Sequence, residues 1–157
     1  VCGVLWFAGK RQPLGLSFGM LLLGVTGATV ISAPFLPASI AERPVALEGA
    51  EPFTEARLAG LRAQGRPVFA YFTADWCVTC KVNEKAAIER DEVIKAFKAK
   101  NVAVLVGDWT NGDPSLGRFL EANGRSGVPL YLFYAKGKEA KVLPQVLTPG
   151  MLTALVE

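Results

Sequence analysis

Histidine is absent from this 157-residue chain. That gap alone removes Ser-His and Cys-His catalysis together with every histidine metal site. Methionine is scarce, with Met20 and Met151 alone, and cysteine occurs only at Cys2, Cys77 and Cys80. A structural zinc site wants about four ligands, and the closely spaced pair Cys77/Cys80 supplies two, so zinc is not expected. A soft ion such as Cu(I) can be held by two thiolates, and that reading stays open. The chain also lacks internal repeats, low-complexity tracts and long blocks of like charge. Lys10 and Arg11 are the only charged residues before Glu42. The remaining fifteen Lys/Arg then face fourteen Asp/Glu, a net of +1. So even a balance gives no electrostatic footprint for nucleic acid.

The absence of charge is most pronounced from Gln12 to Ala41, where none occurs. Leu14 to Ala33 predicts a transmembrane helix about 20 residues long, rich in leucine and valine and carrying a Gly15/Gly19 small-residue pair. Pro34 and Pro37 end it, since neither donates a backbone hydrogen bond. A cleaved signal peptide is the alternative. Against it, the apolar stretch is longer than a usual signal core, and another apolar run, Val1 to Gly9, precedes the basic pair. The expected organisation is therefore residues 1–9 as the end of a preceding membrane helix and 10–41 as a cytoplasmic basic turn and membrane span. A linker at 42–52 and one compact domain at 53–157 follow. With Lys10 and Arg11 inside, the domain faces outward.

What the chain does have is Phe72-Thr73-Ala74-Asp75-Trp76-Cys77-Val78-Thr79-Cys80-Lys81. Two thiols three apart, behind an apolar strand and at the start of a helical pattern, make a dithiol–disulfide couple. A helix opening at Cys77 favours the thiolate there through its unpaired amides and dipole. Cys80, one turn further in, can close the ring and resolve a mixed disulfide.

The flanking elements follow from caps and periodicity. Thr54 caps a helix running to about Gln64, closed by Gly65, with Leu58 and Leu61 on one face. Pro67–Thr73 reads as a buried central strand. The CxxC helix runs from Cys77 to about Glu89, and a second helix spans Asp91–Lys100. Strands follow at Val102–Val106, Leu130–Tyr134 and Glu139–Leu143. Helices start at Asp113-Pro114 and at Pro149, and Pro44–Leu47 suggests a short edge strand. This order implies an α/β fold, a mixed central sheet with helices on both faces.

These residues resemble the thioredoxin fold. More narrowly, they are similar to the C-terminal periplasmic domain of the DsbD family of membrane thiol:disulfide interchange proteins, including its ScsB-like branch. The resemblance rests on Phe72 to Glu84, on Asp108-Trp109-Thr110 and on Gly127-Val128-Pro129-Leu130, and covers about Glu51 to Glu157. It implies a protein-disulfide reductase in the bacterial inner membrane with its thioredoxin-like domain in the periplasm. Electrons would come from the transmembrane domain of the same protein. They would pass to periplasmic thioredoxin-like or disulfide-containing proteins serving cytochrome c maturation, disulfide isomerisation or copper tolerance. No cofactor is implied beyond the redox-active Cys77–Cys80 disulfide, and no metal. By the same resemblance Cys77 is the nucleophile, Cys80 resolves, Trp76 and Val128 contact the partner, and Pro129 is a cis-proline facing the disulfide. Cys2 matches neither membrane redox cysteine expected of the family, and is read as a core or lipid-facing residue.

One position departs from the family. The aspartate expected six residues before the first cysteine is Tyr71, and a phenol near pKa 10 is a poor base. Glu84 is the candidate replacement. At about 100° per residue it shares the inward helix face with Cys77 and Cys80. The competing reading is a solvated glutamate paired with Lys81. Two alternatives to a reductase remain at this level: a Cu(I) delivery module, and a disulfide-forming oxidase, since direction depends on relative potential.

Overall fold

Buried strands explain the architecture best, because β2 (Val68–Thr73) is apolar at both parities and so must be covered on both faces. In the computed structural model, which describes residues 49–157, all six of its residues are buried. It is the central strand, parallel to β3 (Ala103–Asp108) and antiparallel to β4 (Leu130–Tyr134). The edges are β1 (Glu51–Pro52), parallel to β3, and β5 (Ala140–Val142), antiparallel to β4. The five-stranded order is β1-β3-β2-β4-β5. Glu51 and Pro52, read from sequence as linker, are thus an edge strand, where proline's missing donor costs nothing. The membrane span at 14–33, Cys2 and the Pro44–Leu47 strand lie outside the described residues. Among the described residues no helix is long and apolar enough to cross a membrane.

Among the described residues, five α-helices cover the sheet. α1 (Glu55–Ala63) begins where the Thr54 hydroxyl accepts the Arg57 N–H at 3.0 Å. α2 (Val78–Asn83) carries the second cysteine, and α3 spans Asp91–Ala99. α4 (Pro114–Ala122) starts on the Asp113 carboxylate, which accepts from the Ser115 and Leu116 amides. α5 (Pro149–Thr153) is capped by Thr148. The alternation along β2 sorts the core. Phe69 and Tyr71 pack with Ala87, Ile88, Phe97 and Leu152 on one face. Val68, Ala70 and Phe72 pack with Leu58, Leu61 and Leu120 on the other. A Cβ placed on Gly107 would fall 2.4 Å from the Phe72 ring, so β2 and β3 face each other there only with glycine.

The CxxC helix is not the single α-helix its periodicity predicts. After Asn83 the backbone widens into a π-turn over Glu84–Ile88, and the Glu89 N–H reaches the Glu84 carbonyl at 2.8 Å. One residue more is accommodated per turn than in an α-helix, which rotates everything beyond Glu84 relative to the ideal wheel.

Candidate active site

β2 delivers the chain to the edge of the sheet where its strand ends, and the backbone turns there through Ala74-Asp75-Trp76. Cys77 is the N-cap of α2, and its sulfur accepts the Cys80 N–H at 3.2 Å. The two sulfurs are bonded at 2.01 Å, with Cα atoms 5.3 Å apart. Cys77 keeps 7% of its surface and Cys80 1%. The disulfide is therefore reached from the Cys77 side, with Ala74 and Val128 packed around it. The Val128–Pro129 bond is cis.

The rim is built by the loop after β3. The Thr110 hydroxyl accepts the Asp75 N–H at 3.0 Å, and the Thr110 carbonyl accepts the Trp76 indole N–H at 3.2 Å. Asp108 in turn holds Thr110, accepting its N–H at 2.8 Å and its hydroxyl. The Trp109 N–H extends the β2–β3 ladder to the Thr73 carbonyl at 2.8 Å. Trp76 nevertheless leaves 58% of its surface to solvent, with its ring centroid 6.2 Å from that of Trp109. Val78, the first residue of α2, is also exposed. An aromatic and an aliphatic side chain thus stand beside the accessible sulfur.

The floor is polar. Glu84, only 5% exposed, lies one turn beyond Cys80 and its N–H reaches the Cys80 carbonyl. The Thr73 hydroxyl donates to Glu84 Oε1 at 2.5 Å, and Lys81 Nζ sits 3.0 Å from Oε2. Lys81 also lies 3.9 Å from Asp75. Glu84 pairs with Lys81 as the competing sequence reading expected, but it is buried rather than solvated, on the helix face that also carries Cys80. Asn83 is buried beside it. Its amide donates to Tyr131 Oη at 2.8 Å and to the Gln145 carbonyl at 2.6 Å, and its oxygen accepts the Leu147 N–H at 3.1 Å. Burial pushes the Tyr131 hydroxyl up to about 12, against the Asn83 hydrogen bond, while Glu84 adds to the rise. Tyr71 is driven well above its ordinary value, first by burial and then by Glu84 and Glu89.

Residues 50–136 match the family described as thioredoxin-like. The chain belongs to the thioredoxin-like family. Among its relatives, the thiol:disulfide interchange protein DsbD 1 of Pseudomonas aeruginosa is 30% identical over 105 residues, covering 64% of this chain and 17% of that protein. DsbD of Pseudoalteromonas atlantica is 35% identical over 86 residues, 54% of this chain and 14% of the relative. The chain therefore corresponds to less than a fifth of the length of either. The oxidised DsbD C-terminal domain of Neisseria meningitidis has the same fold, with TM-score 0.55 and 20% identity over 68% of this chain and 95% of that one.

In this thioredoxin-like domain, sequence reasoning placed Cys77, Cys80, Trp76, Glu84, Val128 and Pro129 at one site. The fold brings the two cysteines, Glu84 and Val128 together, with Trp76 on the rim. It missed Asn83, Thr73 and Thr110, whose partners lie 11 to 64 residues away in the chain. Only the Asp-Trp-Thr motif itself hinted at Thr110.

Proposed function

We propose that the domain is a membrane-tethered thiol:disulfide oxidoreductase that works as a reductant. The observation that carries this reading is the Cys77–Cys80 disulfide at the cap of α2, open on the Cys77 side and closed on the Cys80 side. In the dithiol form the Cys77 thiolate attacks one sulfur of a partner disulfide, and the other partner sulfur leaves as a thiolate and takes a proton. The Cys80 thiol gives its proton to Glu84, and its sulfur then attacks the Cys77 sulfur of the mixed disulfide. The second partner sulfur leaves and is protonated. Two electrons and two protons reach the partner, and the domain is left oxidised. Trp76, Val128 and Pro129 form the surface against which the partner peptide lies.

The donor that restores the dithiol is the membrane domain of the same protein. The acceptors are periplasmic thioredoxin-like or disulfide-containing proteins. The similarity to DsbD proteins and the apolar stretch at 14–33 support this direction and this location at the bacterial inner membrane. The test uses the full 157-residue chain in detergent, equilibrated with glutathione redox buffers. Cys80→Ala should trap glutathione as a mixed disulfide on Cys77, and Cys77→Ala should not trap it on Cys80. Equal trapping would reverse the roles, and a reduction potential near about −120 mV would make the protein an oxidase. Tight Cu(I) binding without any exchange would replace the redox reading altogether.

A further inference from the structure

The charges of this chain nearly balance, but the fold separates them. Five cations meet at the end of the sheet remote from the disulfide. Arg66 precedes β2, and its Nε donates to the Asn101 carbonyl at 2.9 Å, which brings it to the turn that holds Lys100. The Lys136 side chain lies over Gly65, where a Cβ would come within 3.2 Å of its Cε. Arg62, in the last turn of α1, donates to the Lys138 carbonyl at 3.4 Å and sits 5.0 Å from the centre of the Tyr134 ring. Between Lys100 and Lys136 opens a pocket of about 170 Å³, lined also by Phe133, Leu155 and Val156. Glu139, paired with Arg62 at 3.6 Å, and Glu157, next in sequence to Val156, set two carboxylates against the five cations.

At the other end of β2 and β3 the sign reverses. Asp75 and Asp108 are both hydrogen-bonded to Thr110 there, and the Asp113 carbonyl holds the Trp109 indole N–H at 3.1 Å. Lys81 on that side is already paired with Glu84. The chain itself enters at the cationic end. β1 is parallel to β3, with Glu51 level with Leu105 and Pro52 with Val106, so Gly49 and Ala50 come in level with the first residues of β3. Residues 34–48, between the apolar stretch and Gly49, reach about 50 Å even if fully extended. A domain tethered as proposed above stays within that distance of a bilayer. The end that its chain enters is the one whose charge suits anionic headgroups.

We propose that this cationic end docks on an anionic phospholipid surface, with the Lys100–Lys136 pocket toward the headgroups and the Cys77 side of the disulfide turned away. Arginine takes phosphate oxygens in pairs through its planar fork, and lysine acts as a point charge. Each basic residue near such a surface strengthens binding by about fivefold. The carboxylates of the disulfide end are repelled by the same surface, so charge alone selects which end meets the lipid. Docking leaves Cys77 open to partners in the surrounding solution.

The inference rests on the tether in the reading above, and its test separates the two. The full 157-residue chain is placed in nanodiscs of phosphatidylcholine, or of phosphatidylcholine mixed with phosphatidylglycerol. Its amines are then labelled with a water-soluble acylating reagent and read by mass spectrometry. Phosphatidylglycerol should slow labelling of Lys100, Lys136 and Lys138 by about fivefold or more, and leave Lys85, whose side chain is 77% exposed and which follows Glu84 at the disulfide end, unchanged. The protection should vanish in about 1 M salt, where charges are screened beyond about 3 Å. In the double variant Lys136→Glu, Lys138→Glu, protection of Lys100 should vanish as well, while exchange with glutathione stays as in the wild type. Equal labelling in the two lipids overturns the docking, as does equal protection of Lys85 or protection that survives both salt and charge reversal. Protection by polyglutamate but not by phosphatidylglycerol would assign this end to an acidic protein and overturn the lipid surface. If the double variant does not fold, the salt response decides. If the chain fails to enter phosphatidylcholine nanodiscs, the tether has failed, and the same footprint, with the chain added from solution to phosphatidylglycerol nanodiscs, decides on the docking.

Discussion

Replacing Asn83 by alanine tests whether the CxxC helix is anchored as the structure places it. The side chain is 3% exposed and makes hydrogen bonds of 2.8, 2.6 and 3.1 Å to Tyr131, Gln145 and Leu147. It thereby fastens α2 to β4 and to the segment before α5. Each bond is worth about 1 kcal/mol net, and a buried group left unpaired costs about 1–3 kcal/mol. The Leu147 N–H belongs to a buried residue and has no substitute in place, whereas Gln145 is exposed and its carbonyl can turn to water. The sum is about 3 kcal/mol, a large share of the roughly 5–15 kcal/mol that a domain possesses. At about 4 °C per kcal/mol the melting temperature of Asn83→Ala should fall by about 12 °C. Urea unfolding followed by tryptophan fluorescence measures the free energy directly. Asn83→Asp should also destabilise at neutral pH, because it keeps the acceptor for Leu147 but presents an acceptor to the Gln145 carbonyl. A loss under about 1 kcal/mol for the alanine variant would refute the anchor. It would mean that residues 143–148 swing away and rehydrate both backbone groups.

Glu84→Gln should move the midpoint of Cys77 alkylation in the reduced protein to lower pH and slow exchange with glutathione. A charge two helical turns away, about 10.5 Å, at an effective dielectric near 20 is worth about 1.6 kcal/mol. Lys81, 3.0 Å from Glu84, offsets part of it, so the midpoint should shift by about one pH unit or less, and an unchanged midpoint would make Glu84 a structural charge only. All three tyrosines, Tyr71, Tyr131 and Tyr134, are raised in the folded state, chiefly by burial. Groups with raised folded values contribute stability that is fully present below the unfolded value and is lost as pH rises through the folded one. Stability should therefore decline from about pH 10 upward, toward the value of about 12 for Tyr131. Phenolate absorbance should appear together with unfolding, and a tyrosine titrating near its ordinary value in protein still folded by circular dichroism would contradict the burial.

The parts legible in the sequence are those set by neighbours along the chain. The caps at Thr54 and Asp113-Pro114 sit at the helix starts they predict, since a capping bond spans only two or three residues. The run Val68–Thr73 was readable as a central strand because both of its faces had to be apolar. Glu84 was readable from helical spacing, one turn after Cys80. The strand at Glu51–Pro52 was not, because two residues carry no period and its pairing with β3 is decided some fifty residues later. Nor were Asn83 and Thr110, whose roles exist only once β4, the segment before α5 and the β3 loop have been brought to the CxxC helix.

The π-turn is the case where local logic gives the wrong geometry. Glu84-Lys85-Ala86-Ala87-Ile88 contains no glycine or proline and good helix formers, so propensity argues for a plain α-helix. Packing overrides it: Ala87 and Ile88 are both buried in the cluster that holds Tyr71 and Phe69, and one extra residue in the turn lets both reach the sheet. That shift also changes the meaning of the departure at Tyr71. Judged along the strand, a phenol in place of a carboxylate is a lost base. With the turn widened, Glu84 accepts from Thr73 at the end of β2, and Glu89 beyond it carries a buried oxygen without a hydrogen-bond partner. Tyr71 fills the strand position as a phenol that burial, Glu84 and Glu89 keep neutral. A carboxylate restored at Tyr71 would instead add a buried negative charge within the field of Glu84 and Glu89, whose ion pairs among the described residues are with Lys81 and Lys85. Like charges crowded in a buried site disfavour one another's ionised forms. A neutral phenol at position 71 therefore suits a neighbourhood that already holds two glutamates.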